Sequence, residues 1–311
     1  MCSSDLAAHR DRLRRMLGIG RDPRPPAPSL EFHGAHRDGP LAAGPGVRIH
    51  AVRWAAFGEV HGDGLLVEPD GTNAAPAADL VLVPDAGQSP EDLAALAPGA
   101  PAASAPALRF ARAGCRVLVP GLIGRAVNAH KMTDREWLHR PAFELGRHLL
   151  GYEVQKAIAG IDALLASQGP APRKAGIAGW GEGGLIALHA AALDERIDAA
   201  LVSGYFGPRE ALWTEPAEHN VFGLLAEFGD AEIASLAAPR SLILESGCAP
   251  DFAFRPGPDG GIERLDRPAA LNGKPGRFHP PSAHPFAAAA ARLPRPVGPP
   301  HPPPPSTRAP P

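Results

Sequence analysis

The residues best placed to do chemistry cluster in Gly179-Trp180-Gly181-Glu182-Gly183-Gly184, between the apolar runs 175–178 and 185–188. A buried strand that turns sharply into a helix through such a cluster presents its apex residue for reaction, and small residues two before and two after the apex let the turn approach neighbouring strands. Gly179 and Gly183 meet that need, which puts Gly181 at the apex. Glycine carries no hydroxyl or thiol, so no covalent intermediate can form there. The next residue, Glu182, has two readings. It is a direct nucleophile or a base for water, or it is an acidic residue in a first helical turn that complements the helix dipole. With Glu182 as the apex, Trp180 would stand two residues before it, a poor fit to the small-residue rule.

Two other constellations compete. Gly179, Gly181 and Gly184 spell G-x-G-x-x-G after a strand, the pattern of a phosphate-cradling turn. A dinucleotide site would need an acidic residue at the end of the next strand, yet run 199–202 ends in Ser203-Gly204 and Asp198 precedes it, so this is the minor alternative. His139, Glu144, Arg147 and His148 invite a metal reading because Glu144 and His148 are four apart on an expected helix. Only two ligands share that face and Arg147 sits beside them, which favours ion pairs. No metal and no cofactor is expected.

The elements that must position these residues follow from periodicity. Residues 47–54 alternate apolar and polar, and 64–68 follow a Gly/Asp turn, which together read as an antiparallel pair at a sheet edge. Runs 80–83, 117–119, 176–178, 199–202 and 242–244 are short and continuously apolar, as in strands covered on both faces. Helices are expected at 106–113, 140–167, 183–193 and 233–236. Thr133 with Glu136 offers a capping box to a preceding helical turn, and Pro141 should break or kink the path between the two. This alternation predicts an α/β fold: a doubly wound, mostly parallel sheet with its site at the carboxyl ends of the strands. Residues 1–28 read as a basic helix (7–17) and Pro-rich linker, with a start that resembles adapter-derived sequence. Residues 29–270 read as the folded domain and 271–311 as a Pro-rich tail, with a truncation or frameshift near Pro275.

Lys and Arg number 31 against 33 Asp and Glu, a formal charge of -2 that gives no electrostatic reason to expect nucleic acid or an anionic membrane. Cys2, Cys115 and Cys248 show no paired spacing, and no run approaches the ~20 apolar residues that span a bilayer. The first six residues lack the apolar segment of a leader, and the compartment is left open.

The elbow, with Leu193-Asp194-Glu195-Arg196-Ile197, Val202-Ser203-Gly204-Tyr205, Phe228-Gly229-Asp230-Ala231-Glu232-Ile233 and Ala238-Pro239-Arg240, resembles the α/β-hydrolase superfamily, in particular its dienelactone-hydrolase and acetyl-xylan-esterase-like group. The resemblance runs over about 47–247 and implies a fold that ordinarily continues past this point, so the C-terminal strand is expected to be lacking. It also implies an esterase triad, with Gly181 where the serine belongs. The oxyanion hole would use the amide of Glu182 with that of Ala86 or Gly87, while Asp85 reads as a turn residue. The acid would be Glu245 or Asp251. His279, or His284, stands in the order expected of the histidine, although surrounding prolines read as an exposed loop. A small-molecule ester or carbonyl is the partner implied. The expected function is a carboxylic-ester-hydrolase-type protein with a degenerate elbow, and the alternative is a catalytically silent domain that binds a ligand or another domain.

Overall fold

A computed structural model describes residues 3–246 apart from 21–24, 26–27, 34–38, 71–75, 100–104, 169–171, 210–211 and 213–214, together with the backbone of 253–256 and 262–265. The strands are β1 (Glu31–His33), β2 (Ala42–Gly44), β3 (Val47–Phe57), β4 (Val60–Pro69), β5 (Ala78–Val83), β6 (Cys115–Pro120), β7 (Lys174–Trp180), β8 (Ile197–Ser203), β9 (Ser241–Glu245), β10 (Ala253–Pro256) and β11 (Ile262–Leu265). The helices are α1 (Ser3–Leu17), α2 (Pro90–Leu93), α3 (Pro106–Arg112), α4 (Asp134–Glu144), α5 (Leu149–Ala166), α6 (Glu182–Leu193) and α7 (Asp230–Ala237).

The main sheet runs β1-β3-β4-β6-β5-β7-β8-β9, with β2 on β3. From β6 to β9 neighbouring strands are parallel, and β3 and β4 form the antiparallel pair expected at the edge. A strand packed on both faces sends successive side chains to opposite layers. Val81, Val83 and Ile177 accordingly join the core beneath α1, α5, α6 and α7, whereas Leu82 and Ala178 join the core beneath α2 and α3. The backbone of β10 and β11 forms a separate antiparallel pair.

The expected single helix over 140–167 is two helices. Thr133 and Glu136 do form a capping box, but the helix it starts, α4, continues through Pro141 to Glu144. The chain breaks instead at Gly146, whose φ of 81° suits glycine, and α5 begins after His148, whose Nδ1 accepts the Leu150 N–H at 3.1 Å. Pro141 has no N–H to give the Trp137 carbonyl, and the helix ends within one turn of it.

Helix α1 packs against α5, α6 and α7, with Leu13 and Leu17 fully buried in the larger core. Its arginines supply donors to the C-terminal carbonyls of other helices, groups that a helix leaves unsatisfied. Arg10 donates to the carbonyls of Ala192 (3.1 Å) and Leu236 (2.8 Å), and Arg14 to that of Leu193 (2.6 Å). Arg240 reaches the same region through the carbonyls of Ala191 (2.6 Å) and Asp194 (2.7 Å). Replacing Arg10 with Ala strips donors from buried carbonyls, and urea denaturation should show a loss of about 1–3 kcal/mol. An unchanged midpoint would mean that the Arg10 bonds to these carbonyls contribute nothing to stability.

Candidate active site

Strand β7 lies between β5 and β8, and the chain turns at its carboxyl end through Gly181 into α6. Gly181 has φ 58° and ψ -119°, a conformation that L side chains rarely adopt. Its N–H donates to the Ser203 carbonyl at 3.0 Å, and its own carbonyl accepts the Leu185 N–H at 3.0 Å. The flanking glycines are required by space: a Cβ on Gly179 would overlap the backbone of Gly183, and one on Gly183 would overlap the carbonyl of Val83. The backbone thus keeps the sharp elbow shape while its apex has no side chain.

Behind the apex stands a buried network of charge. The Glu182 side chain is fully buried; its Oε1 accepts from Arg135 Nη2 at 2.6 Å, and its Oε2 accepts from Arg125 Nη2 at 3.1 Å and from His219 Nε2 at 2.5 Å. Arg135, also fully buried, donates to both oxygens of Glu153 at 2.9 and 3.0 Å and lies 3.7 Å from Glu218. The other ring nitrogen of His219 faces Glu215 at 2.9 Å. An imidazole with a carboxylate at each nitrogen must donate from both, which makes it an imidazolium. Burial alone would lower its pKa, but Glu182 and Glu215 push it up to about 9. Burial alone would raise the Glu182 carboxyl, yet Arg135, His219 and Arg125 hold it below the usual carboxylate range. Glu182 is therefore a weak base with its oxygens already engaged. Neither the dipole partner nor the free base of the sequence reading describes it fully.

Two of the three amides expected as oxyanion donors are also engaged. The Glu182 N–H donates to Asp85 Oδ1 at 3.0 Å, and the Gly87 N–H donates to Asp85 Oδ2 at 2.9 Å. Arg125 Nη1 completes the set on Oδ2 at 2.6 Å. Asp85 does form the short-range turn bond to Gly87, but it is also a fully buried partner of Arg125. Ala86 is buried beside it.

Glu245 ends β9, with its carbonyl accepting the Gly204 N–H at 3.2 Å, and its exposed side chain lines a cleft near the elbow. Asp251, His279 and His284 lie outside the described residues. The cleft, about 590 Å³, is floored by Leu82, Ala178, Leu201 and Phe110 and edged by Trp180, Ser203 and Glu245.

The break between α4 and α5 separates Glu144 from His148, so the two do not share a helix face. Glu144 is exposed and paired with Arg140 at 2.9 Å, while His148 belongs to the cap of the next helix. His148 Nδ1 spends its lone pair on the Leu150 N–H, so in the neutral ring the proton sits on Nε2 and that atom is no metal ligand. Among the described residues no group of three or more His, Cys, Asp or Glu is arranged to hold a metal. For the dinucleotide alternative, Asp198 lies within β8 and is bonded to Lys174 and the Ala175 N–H, which leaves Ser203 at the strand end.

Sequence reasoning missed Arg125, Arg135 and His219. Arg135 left a trace: α4 buries Arg135 and Ala142 while exposing Trp137, Leu138 and Phe143, so its apolar residues do not mark its inner face. His219 stands four residues after Glu215, a spacing visible only once a turn is assumed there. Arg125 left no signal.

Residues 104–235 match the family model of dienelactone hydrolases. A Bacteroides fragilis NCTC 9343 protein described as a candidate acetyl xylan esterase superposes with a TM-score of 0.60 at 20% identity, covering 78% of this chain and 68% of that one. A glucuronoyl esterase from Solibacter usitatus superposes with a TM-score of 0.54 at 17% identity, covering 78% and 75%. No curated protein matches the chain in sequence. At these identities the solved structures establish the α/β-hydrolase fold.

Glu182→Gln should cost about 3–5 kcal/mol in urea denaturation, because it removes the anion facing three buried cations. The pH dependence has a defined sign. The folded pKa of His219, about 9, lies above its unfolded value near 6.5, so its contribution is full below pH 6.5 and is lost as pH rises through 9. Burial, reinforced by His139, pushes His148 down to about 3, so its contribution is lost in the opposite direction, as pH falls from 6.5 towards 3. His219→Gln should flatten the loss of stability between pH 6.5 and 9, measured against wild type.

Proposed function

We propose that this α/β-hydrolase-fold chain, of the ester-hydrolase type, is a catalytically silent member that binds a small ester or carbonyl compound without turning it over. The observation that carries this reading is the elbow itself: its apex is Gly181, and the carboxylate beside it, Glu182, is held by Arg125, Arg135 and His219. Acyl transfer needs a nucleophile and a base that can take its proton. Gly181 supplies no nucleophile, and Glu182 is ionised but engaged on both oxygens.

The cleft beside the elbow is the candidate binding place. Its floor is apolar, and its edge offers Ser203, Trp180, Gln88, Asp92 and Glu245, with no Lys or Arg among the described lining residues. That lining disfavours an anionic ligand and favours an uncharged one with an apolar body and a polar end. Benzyl acetate is a suitable probe. Ligand-observed NMR should detect its binding to wild type and a weaker response with Phe110→Lys, which places a charge in the apolar floor.

Turnover of p-nitrophenyl acetate should match the buffer blank; hydrolysis above it that scales with protein and is lost in Gly181→Ala or Glu182→Gln would refute silence. Gly181→Ser restores the hydroxyl but places an L side chain at φ 58°, a strain of about 1–3 kcal/mol, and should remain unlabelled by a fluorophosphonate.

A further inference from the structure

Asp85 holds the Glu182 N–H, one of the amides expected to receive an oxyanion. Its two oxygens receive the Glu182 N–H at 3.0 Å, the Gly87 N–H at 2.9 Å and Arg125 Nη1 at 2.6 Å, and the side chain is fully buried. These donors come from three separate parts of the fold: the start of α6, the loop after β5 and the loop after β6. An Asp in a plain turn needs only the bond to Gly87. Burying its charge completely requires further neutralisation, and Arg125 supplies it.

We infer that these donors form a carboxylate receptor whose resident ligand is the chain's own Asp85. The inference deepens the reading of a silent elbow, since it identifies what engages the Glu182 amide in place of a substrate carbonyl. Arg125 bridges the two carboxylates, Asp85 through Nη1 and Glu182 through Nη2, so the receptor stays charged and oriented when Asp85 is shortened. Its chemistry fits a small planar anion: two amide donors and one guanidinium arm converging on two oxygens. Ala86, Gly87 and Arg125 line a second, open cleft of about 400 Å³ beside it.

The test is chemical rescue in the full chain. Asp85→Gly removes the internal carboxylate and leaves room for formate. Its melting temperature should lie below that of wild type and rise with added sodium formate in a saturable way, by roughly 2–4 °C at formate well above its dissociation constant. Sodium chloride at the same ionic strength should give a smaller, unsaturated response. Wild type, whose receptor is filled, should not distinguish the two salts, and Asp85→Gly/Arg125→Met should lose the formate effect. If Asp85→Gly does not fold, Asp85→Ser leaves a smaller void for the same titration, and yields of refolding in formate and in chloride give a second readout.

Equal effects of formate and chloride on the shortened variants, or an equal formate effect on wild type, would overturn the inference. Turnover of p-nitrophenyl acetate by wild type alongside intact formate rescue would instead overturn the silent reading and leave the receptor standing.

Discussion

The structure around the elbow depends on one constraint, the neutralisation of the buried Glu182 carboxylate. An isolated buried carboxylate is strongly unfavourable, and only well-placed cations and donors make it tolerable. Arg135, Arg125 and His219 supply them from α4, from the loop after β6 and from the short helical turn Ala217–His219. Each of these cations needs further anions, which Asp85, Glu153 and Glu215 provide. One charge at the start of α6 therefore fixes the relative positions of segments far apart in sequence.

That constraint also accounts for what the site lacks. A reactive carboxylate needs an oxygen free to approach water and a pKa near the working pH. Glu182 has the reverse, with its oxygens satisfied and its proton affinity depressed. The same holds at the backbone, where the Glu182 and Gly87 amides, two of the three expected to polarise a carbonyl, are bonded to Asp85. Glycine at the apex is consistent with these features, since it takes the sharp turn without side-chain strain. The interior side of the elbow is taken up by charge pairing.

How much was legible varies with the range of the interaction concerned. Strands β5 to β9 were readable because each is a short apolar run, and the tight packing at Gly179 and Gly183 because absent side chains signal close backbone approach. The division of α4 from α5 was misplaced, since Pro141 is the stronger local breaker and Gly146 looks unremarkable beside it. The packing of α1 was also hidden. Arg10 and Arg14 read only as part of a short basic helix, whereas their donors meet helix carbonyls nearly two hundred residues away.

By itself, the sequence determined the parallel sheet, the strand–turn–helix at residues 174–193 and the absence of a hydroxyl at Gly181, because local periodicity and residue identity suffice for all three. Only the tertiary structure decided that Glu182 is a buried, engaged anion and that Asp85 holds the elbow amides. Both depend on Arg125, Arg135 and His219 arriving from distant segments. Electrostatic partners in a low-dielectric interior are chosen by distance in space, which no local pattern of residues records.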